Sequence, residues 1–217
     1  MLTTILICLA VGYFIGCFST GYLVGKANHI DIREHGSGNA GATNTLRTLG
    51  LKAGAITFFG DALKAVIPIT IFRLMNPDIE PVWQLYGLYL AVGVTLGHNF
   101  PFYLKFKGGK GIASTAGLIL AVNPIMFLIV AVVFISIVLI TQYVSLASIV
   151  IMILFVIMVV VKGQTDMLLL PKGDLYEYYA IAIILALLAI WRHRANIKRL
   201  LNGTENKTDV KKIGKKS

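Results

Sequence analysis

A glycine-rich segment at residues 36–44 holds the residues of this sequence that are best suited to bind an anion. It reads Gly-Ser-Gly-Asn-Ala-Gly-Ala-Thr-Asn, and Arg47 follows three residues later. Glycines let backbone N–H groups approach an anion, hydroxyl and amide side chains add donors, and the guanidinium supplies positive charge. We therefore predict a phosphate site, with a flexible connector as the alternative. The expected contacts are Ser37, Gly38, Asn39, Gly41, Thr43, Asn44 and Arg47.

A second polar cluster joins Gly97-His98-Asn99 to the segment 105–111, where lysines alternate with glycines. At the start of a helix, free N–H groups and the positive end of the helix dipole favour an anion. The segment is not a Walker A motif, because Leu104 replaces the first glycine and Gly111 stands where Ser or Thr binds magnesium. A basic membrane anchor is the alternative. The expected substrate contacts are His98, Lys107, Gly108, Gly109, Lys110 and Gly111.

A third cluster at residues 191–205 is basic and contains His193, Asn196 and Glu205. If the last helix continues through it, His193 and Asn196 lie one turn apart on the same face. Glu205 then follows the glycine at which that helix stops. The alternative is a basic stop beside the membrane.

Two pairs of polar residues fall inside apolar segments. Ser145 and Ser148 begin a predicted helix and are candidate substrate contacts, although such serines more often serve packing. Asp61 and Lys64 are three residues apart, within reach of one another on a helix. Charges at that depth are costly unless they are paired, so we expect an ion pair that supports the first loop. Direct contact with the substrate is the alternative.

Membrane helices are the elements that must position these clusters. Hydrophobic residues make up 57% of the 217 residues and charged residues 14%, mean hydropathy is +0.79, and the apolar residues come in long runs. We predict an all-α, polytopic membrane protein. The net charge of +10 comes from basic residues flanking apolar segments, which indicates membrane orientation and not nucleic-acid binding. Cys8 and Cys17 share one apolar run and form neither a disulfide framework nor a zinc site, and they are interpreted as packing residues. No metal or cofactor is expected.

Because about 20 apolar residues cross a bilayer as a helix, we predict about seven helices. Their positions are near 2–24, 53–74, 84–104, 111–122, 124–140, 143–161 and 175–191. Lys and Arg are retained on the cytoplasmic side, which places the basic clusters after the first, third and last spans inside. An odd number of crossings is then required between 111 and 161, and three fit its length. The N-terminus is outside and the C-terminus inside. We expect one domain over 1–205 and a basic, disordered cytoplasmic tail over 206–217.

Together the three clusters resemble the motifs of the bacterial acyl-phosphate:glycerol-3-phosphate acyltransferase family, PlsY. The resemblance covers nearly the whole chain, including Asp61, Lys64 and residues 143–148. It departs from the family pattern at Gln142, where a basic residue is expected in many members.

The resemblance implies transfer of a fatty acyl group from acyl phosphate to the 1-hydroxyl of glycerol 3-phosphate. The products would be 1-acylglycerol 3-phosphate, also called lysophosphatidic acid, and inorganic phosphate, at the start of phospholipid synthesis in the bacterial plasma membrane. It implies that Ser37 and Arg47 are essential, that Lys110 and its neighbouring glycines bind glycerol 3-phosphate, and that His193 and Asn196 complete a cytoplasmic site. Besides the substrates and membrane lipid, a transient contact with the enzyme that makes acyl phosphate is expected.

Acyl phosphate is a mixed anhydride with a good leaving group, so we expect direct transfer without an acyl-enzyme. Ser37 then binds phosphate, since its surroundings lack the glycine spacing of a nucleophile elbow. The base is either His193 or a phosphate oxygen of a substrate, and we favour the phosphate because no carboxylate adjacent in sequence orients His193. The rival function is a transporter for a small anion, whose site would lie near the middle of the bilayer.

Overall fold

The computed structural model describes residues 1–208, which form α-helices, three short 3-10 turns and connecting loops, without a strand. The expected all-α fold is confirmed. The α-helices are α1 (Leu2–Cys17), α2 (Thr20–Ala27), α3 (Ala42–Leu49), α4 (Leu51–Met75), α5 (Trp83–Asn99), α6 (Ile112–Val122), α7 (Pro124–Thr141), α8 (Val144–Gln164), α9 (Lys172–Arg192) and α10 (Arg194–Leu201).

Within residues 1–208, five segments are long and apolar enough to cross a membrane: α1 with α2, α4, α7, α8 and α9. Each remaining predicted span also contains a helix, since α5 has 17 residues and α6 has 11. At 1.5 Å per residue α6 is roughly 16 Å long, about half of the ~30 Å hydrocarbon thickness. The polytopic membrane fold is therefore confirmed, while seven crossings and their orientation remain a prediction.

The first predicted span is interrupted between α1 and α2, and side chains from elsewhere stabilise the break. Lys64 on α4 donates to the carbonyl oxygens of Gly16 and Phe18, over 3.2 and 3.0 Å. Tyr103 donates to the carbonyl of Cys17 over 2.9 Å. These carbonyls at the end of α1 have no partner within the helix, so buried side-chain donors satisfy them where water cannot.

Glycines bring α1 and α5 into close backbone contact. A Cβ atom on Gly12 or Gly16 would collide with the α5 backbone, and one on Gly93 or Gly97 would collide with the α1 backbone. Small residues at such positions let membrane helices approach closely, which packing and not hydrophobicity must stabilise within lipid. This contact places the C-terminal end of α5, with His98, beside the α1–α2 break.

A buried apolar core connects α5 to the helices that follow it. Its largest fully buried members include Leu88, Val94, Leu118, Met152 and Leu185. On the opposite side α6 lies directly against α4, because Gly117 faces the backbone of Ala62 without a side chain between them. The helices therefore hold four connections at one common end of the bundle, namely α3–α4, α5–α6, α7–α8 and α9–α10.

The predicted tail begins at Asn206, and its first three residues pack against the protein. Thr208 is buried, and its backbone N–H donates to the carbonyl of Gln142 over 2.8 Å. The Asn206 carbonyl also accepts a hydrogen bond from Arg47, so this stretch has specific contacts, while the disorder of the tail stays a prediction. The rest of the predicted tail, residues 209–217, lies outside the described residues.

Candidate active site

The glycine loop is held in shape by the buried side chain of Asn44. Its Oδ1 accepts from the backbone N–H of Ser37 over 2.8 Å, and its Nδ2 donates to the carbonyls of Ile32 and His35 over 2.9 Å each. Gly36, at φ +59°, leaves no room for a Cβ beside this amide. The bonds of Asn44 thus fold the loop that presents Ser37, and its own polar atoms are occupied within the protein.

The second cluster is organised around two glycines. The N–H groups of Gly108 and Gly109 donate to the carbonyls of Asn99 and His98, over 3.2 and 2.9 Å. Arg192 donates to the carbonyls of both glycines, over 3.2 Å to Gly108 and 2.7 Å to Gly109. A Cβ on Gly109 would overlap the His98 imidazole. This folding directs the next residue along the chain, Lys110, into the site.

Lys110, Asn196 and Glu205 form a chain of hydrogen bonds. Lys110 donates to Oδ1 of Asn196, and Nδ2 of Asn196 donates to Glu205 over 2.7 Å. Glu205 also accepts from Ser145 over 3.0 Å and from Arg199 over 2.7 Å. The buried carboxylate therefore joins α8 and α10 and sets the orientation of the Asn196 amide.

The charges of this chain are shifted by burial and by one another. Burial lowers the pKa of Lys110 to about 8; Glu205 opposes this shift, and Arg199, Arg192 and Arg47 add to it. Burial alone would raise the pKa of Glu205, but hydrogen bonds from Asn196, Arg199 and Ser145 lower it below its usual value. At neutral pH the site thus holds an ammonium group of reduced basicity beside an ionised carboxylate.

His193 lies between the last two helices, so the condition that one helix runs on through the third cluster is not met. It ends α9 and precedes α10. Its Nδ1 is 2.7 Å from the carbonyl of Ala189, which only a protonated Nδ1 can bond, so Nε2 of the neutral ring accepts hydrogen bonds. Burial, followed by the charge of Lys110, lowers the pKa of His193 to about 4. The imidazole is therefore neutral and weakly basic.

Asp61 and Lys64 form the expected ion pair, with Nζ 2.9 Å from Oδ1. The same Nζ is 2.7 Å from Nδ1 of His98, and Asp61 is 3.6 Å from that nitrogen. With the carbonyls at the α1–α2 break, these contacts support the second cluster. The pair was expected to support the first loop, but none of these hydrogen bonds goes to that loop.

Arg47 projects from α3 and is partly buried. Its Nε and Nη2 donate to Oγ1 of Thr208 over 3.3 and 2.9 Å, and Nη2 also donates to the carbonyl of Asn206 over 2.9 Å. Burial lowers the pKa of Arg47, an effect that Glu205 opposes, yet a guanidinium remains charged at any physiological pH.

These side chains converge on a pocket of about 590 Å³. The predicted residues that line it are Ser37, Asn39, Gly41, Thr43, Asn44, Arg47, Asp61, His98, Lys110, Gly111, Ser145, Ser148, His193, Asn196 and Glu205. A second pocket of about 270 Å³ shares Ser37, Asn39, Lys110 and Asn196 with it. Gly38, Lys107 and Gly108 line that second pocket. Two predicted residues, Gly109 and Lys64, line neither of these pockets.

Two of the lining serines differ in their bonds. Ser145 donates to the carboxylate of Glu205, whereas Ser148 donates to the carbonyl of Val144 within its own helix, over 2.8 Å. Ser148 therefore borders the pocket, but its hydroxyl hydrogen is already donated to its own helix. This agrees with the alternative that such serines bond within the helix and do not contact substrate.

The larger pocket also has an apolar part, which the sequence did not reveal. Phe58 and Phe59 of α4 and Phe134 and Val138 of α7 line it. In a membrane helix, an apolar side chain that faces a pocket looks the same in sequence as one that faces lipid. A single space thus joins cationic groups to a surface that suits a hydrocarbon chain.

Sequence reasoning missed the roles of Arg192, Arg199 and Thr208. The sequence predicts both arginines only as part of the basic cluster that sets membrane orientation. In the structure Arg192 donates to the carbonyls of Gly108 and Gly109, and Arg199 donates to Glu205. Their position immediately around His193 and Asn196 was the available signal. Thr208 lies in a polar segment with no motif, so its sequence carries no such signal.

Fold and site together define a helical integral membrane protein with a cationic pocket that opens into an apolar groove. A sequence model of the family described as "Glycerol-3-phosphate acyltransferase" matches residues 6–203. The chain is 44% identical to the glycerol-3-phosphate acyltransferase of Clostridioides difficile (strain 630), covering 95% of this chain and 97% of that protein. It is 42% identical to glycerol-3-phosphate acyltransferase 2 of Bacillus cereus (strain ATCC 10987 / NRS 248), covering 98% of both.

Two crystal structures of PlsY (YgiH), an integral membrane glycerol 3-phosphate acyltransferase, are similar in fold. The glycerol 3-phosphate form has a TM-score of 0.83 at 35% identity and covers 96% of this chain and 98% of its own. The lysophosphatidic acid form has a TM-score of 0.80 at 34% identity, with coverage of 96% and 97%. The chain therefore belongs to the glycerol-3-phosphate acyltransferase family, and the resemblance seen in the sequence motifs is confirmed.

Proposed function

We propose that this protein transfers a fatty acyl group from acyl phosphate to the sn-1 hydroxyl of glycerol 3-phosphate, giving 1-acyl-glycerol 3-phosphate and inorganic phosphate. The observation that carries the proposal is one pocket in which Arg47 and Lys110 meet an apolar groove. Acyl phosphate has this same division, an anionic head on a hydrocarbon chain. The names of the related crystal structures, a glycerol 3-phosphate form and a lysophosphatidic acid form, agree with the proposed acceptor and product.

Two negatively charged substrates repel one another, and the cationic pocket offsets that repulsion. We assign Ser37, Asn39, Thr43 and Arg47 to one phosphate and Lys110, Asn196 and the second glycine loop to the other. Fixed donors also stabilise the charge that develops on the acyl carbonyl and on the departing phosphate. Holding the hydroxyl and the carbonyl carbon in line converts a bimolecular step into one within a complex.

The fatty acyl chain is assigned to the groove between α4 and α7. Phe58, Phe59, Phe134 and Val138 present apolar surface there, continuous with the cationic part of the pocket. Relative to water, each buried methylene contributes about 0.8 kcal/mol. Relative to lipid the gain comes from packing alone, so the groove mainly orients the chain while the phosphate stays beside the cations.

Deprotonation of the hydroxyl is assigned to a phosphate oxygen of a substrate. The hydroxyl oxygen bonds to the acyl carbon, the bond from that carbon to the phosphate oxygen breaks, and the hydroxyl proton passes to phosphate. His193, with its pKa of about 4, is a weak base at neutral pH. Since its Nδ1 bonds to Ala189, its Nε2 accepts a hydrogen bond from the attacking hydroxyl and orients it.

Transfer is proposed to be direct, with no acyl group held on the protein. The backbone N–H of Ser37 is bonded to Asn44, and its hydroxyl lines the pocket without a base among its hydrogen-bond partners in residues 1–208. A serine nucleophile requires such a base within hydrogen-bond reach. Ser37 is therefore assigned as a ligand of phosphate.

The pocket is proposed to face the cytoplasm of a bacterial plasma membrane that the chain crosses seven times. The end of the bundle with the pocket carries the basic residues of all three clusters, and Lys and Arg are retained inside. Cysteine introduced at Lys198 should then react with an impermeant reagent only in inverted vesicles. Cysteine introduced at Asp78 should react in intact cells, and the opposite pattern would contradict this topology.

Proteoliposomes containing the purified protein test the proposed reaction. Given acyl phosphate and labelled glycerol 3-phosphate, they should form lysophosphatidic acid and release phosphate in equal amounts, without acyl-CoA. Incubation with labelled acyl phosphate alone should leave no acyl group that hydroxylamine releases from the protein. Flux of glycerol 3-phosphate without product would instead support the small-anion transporter, and a trapped acyl group would overturn direct transfer.

A further inference from the structure

The segment that follows Glu205 closes one wall of the larger pocket. Glu205 is anchored by its hydrogen bonds to α8 and α10, and the chain then runs across to Arg47 on α3. Thr208 is only 4% exposed and lines the pocket itself. A polar tail residue is rarely buried unless specific hydrogen bonds hold it, so this contact requires a physical explanation.

Thr208 is fixed from two sides. Its backbone N–H donates to the carbonyl of Gln142, over 2.8 Å, at the junction of α7 and α8. Its hydroxyl accepts from Arg47, at 2.9 Å from Nη2 and 3.3 Å from Nε. Beside it, the ammonium group of Lys207 lies 5.6 Å from the centre of the Tyr143 ring, where cation and ring attract one another. The α7–α8 junction therefore determines where the hydroxyl stands.

These bonds use a single edge of the guanidinium. Within residues 1–208 the side-chain hydrogen bonds of Arg47 come from Nε and Nη2, which leaves the two donors of Nη1 for a ligand. Thr208 and the carbonyl of Asn206 are neutral acceptors, so they orient the guanidinium without cancelling its charge. A carboxylate in the same place would neutralise the charge that an anion needs.

We propose that Thr208 is a positioning residue that holds Arg47 in the orientation required to bind a substrate phosphate. The inference rests on the proposed function, since it takes Arg47 as a phosphate ligand. It assigns a role in the reaction to the beginning of the C-terminal tail, to which the sequence motifs do not extend. Thr208 itself touches no reacting atom and acts through Arg47.

Replacing Thr208 by residues that differ only in the hydroxyl tests this proposal. Thr208→Val keeps the shape and removes the acceptor, whereas Thr208→Ser keeps the acceptor. Because the hydroxyl that accepts from Nε and Nη2 of Arg47 is lost, we expect Thr208→Val to raise the KM for one of the two substrates about 10-fold, with kcat changed less than about twofold. Thr208→Ser should remain within about twofold of the wild type. Thr204→Val, the same change at an exposed threonine just before Glu205, is the matched control.

Combining Thr208→Val with Arg47→Lys distinguishes a positioning role of Thr208 from a simple packing role. In the Arg47→Lys background, which lacks the planar fork, Thr208→Val should change KM by less than about twofold. An equal loss in the Ser and Val variants, or a full effect of Val in the Arg47→Lys background, would overturn the proposal in favour of a packing role. So would an unchanged KM in Thr208→Val, with the wild type active. If the wild type itself transferred no acyl group, the proposed function would fail and not this assignment.

Discussion

Nδ2 of Asn196 lies 2.7 Å from a carboxylate oxygen of Glu205, and this contact decides which end of the Asn196 amide faces Lys110. A carboxylate accepts only, so the amide must present its NH₂ group to Glu205 and its oxygen to the ammonium. The orientation of a neutral side chain in the pocket is thus set by a residue nine positions further along the chain.

Glu205→Gln should disorder this network. The glutamine amide brings an NH₂ group toward donors of Asn196, Arg199 and Ser145. The negative charge that pairs with Arg199 and acts on Lys110 and Arg47 is also lost. We expect kcat/KM to fall roughly 10- to 100-fold, the range for losing hydrogen bonds to a buried charge. Glu34→Gln, at an exposed carboxylate, is the control and should stay near wild type. An active Glu205→Gln enzyme would show that the Asn196 orientation is unimportant.

Activity should fall as pH rises through about 8, the pKa of Lys110 in the free enzyme. Because burial lowers this pKa in the folded protein, the charged form needed for phosphate binding is present below pH 8 and lost above it. The profile of kcat/KM should show this alkaline limb, and bound phosphate should move the limb of kcat to higher pH. The effect of pH on folding stability has the opposite sign. Above about pH 8 the unfolded chain binds more protons at this lysine than the folded protein, so the contribution of Lys110 to stability increases as pH rises.

Lys110→Arg checks the assignment of that limb. A guanidinium stays charged at pH 10, so the alkaline limb near pH 8 should disappear even if the overall rate is lower. A limb that persists in this variant would belong to another group. His193, with a pKa of about 4, should add no acid limb between pH 5 and 7.

Gly109→Ala should inactivate the enzyme through His98. The new Cβ would overlap the imidazole, which Lys64 and Asp61 hold in place, so the loop that carries Lys110 must move. A displacement of about 1 Å at a reacting group costs roughly 100-fold in rate. The measurement is kcat/KM beside apparent Tm. Gly173→Ala, where a Cβ meets open space, is the control, and a fully active Gly109→Ala enzyme would contradict this account.

Lys64→Met should destabilise the protein more than the double variant Asp61→Asn/Lys64→Met. The single change leaves a buried carboxylate without its ion pair and two carbonyls at the α1–α2 break without a donor. Losing one partner of a buried pair costs about 3–5 kcal/mol, and removing both charges recovers part of it. Thermal unfolding in one detergent compares the variants. Equal loss in both would show that the carbonyl contacts, and not the ion pair, dominate.

Gly93→Ala should lower the apparent Tm without abolishing activity at low temperature. Its Cβ would press on the backbone of α1 near Tyr13, and overpacking of this kind costs about 1–3 kcal/mol. In a chain of this size that corresponds to a Tm several degrees lower, roughly 2–4 °C for each kcal/mol. A Tm equal to that of Gly173→Ala would contradict close packing of α1 on α5.

Several features of this protein could be determined from the sequence alone. Long apolar runs predict membrane helices whatever their neighbours, because the backbone must satisfy its own hydrogen bonds in lipid. The predicted helices near 111–122, 124–140 and 143–161 correspond to α6, α7 and α8, which are separated at Asn123-Pro124 and at Gln142-Tyr143. Pro124 favours the first of these breaks locally, because it cannot continue a preceding helix. The three polar clusters were recognisable because glycines and cations at that density have few other uses.

Only the tertiary structure decided which of these residues meet and what each one contacts. The side chain of Asn44 folds its own loop, Arg192 binds glycines more than 80 positions away, and Thr208 reaches Arg47 from the far end of the chain. No local pattern predicts such bonds, because a buried donor takes whichever acceptor the helix packing brings within about 3 Å. The apolar groove was hidden for a related reason: phenylalanines facing a substrate and phenylalanines facing lipid obey the same preference for an apolar environment.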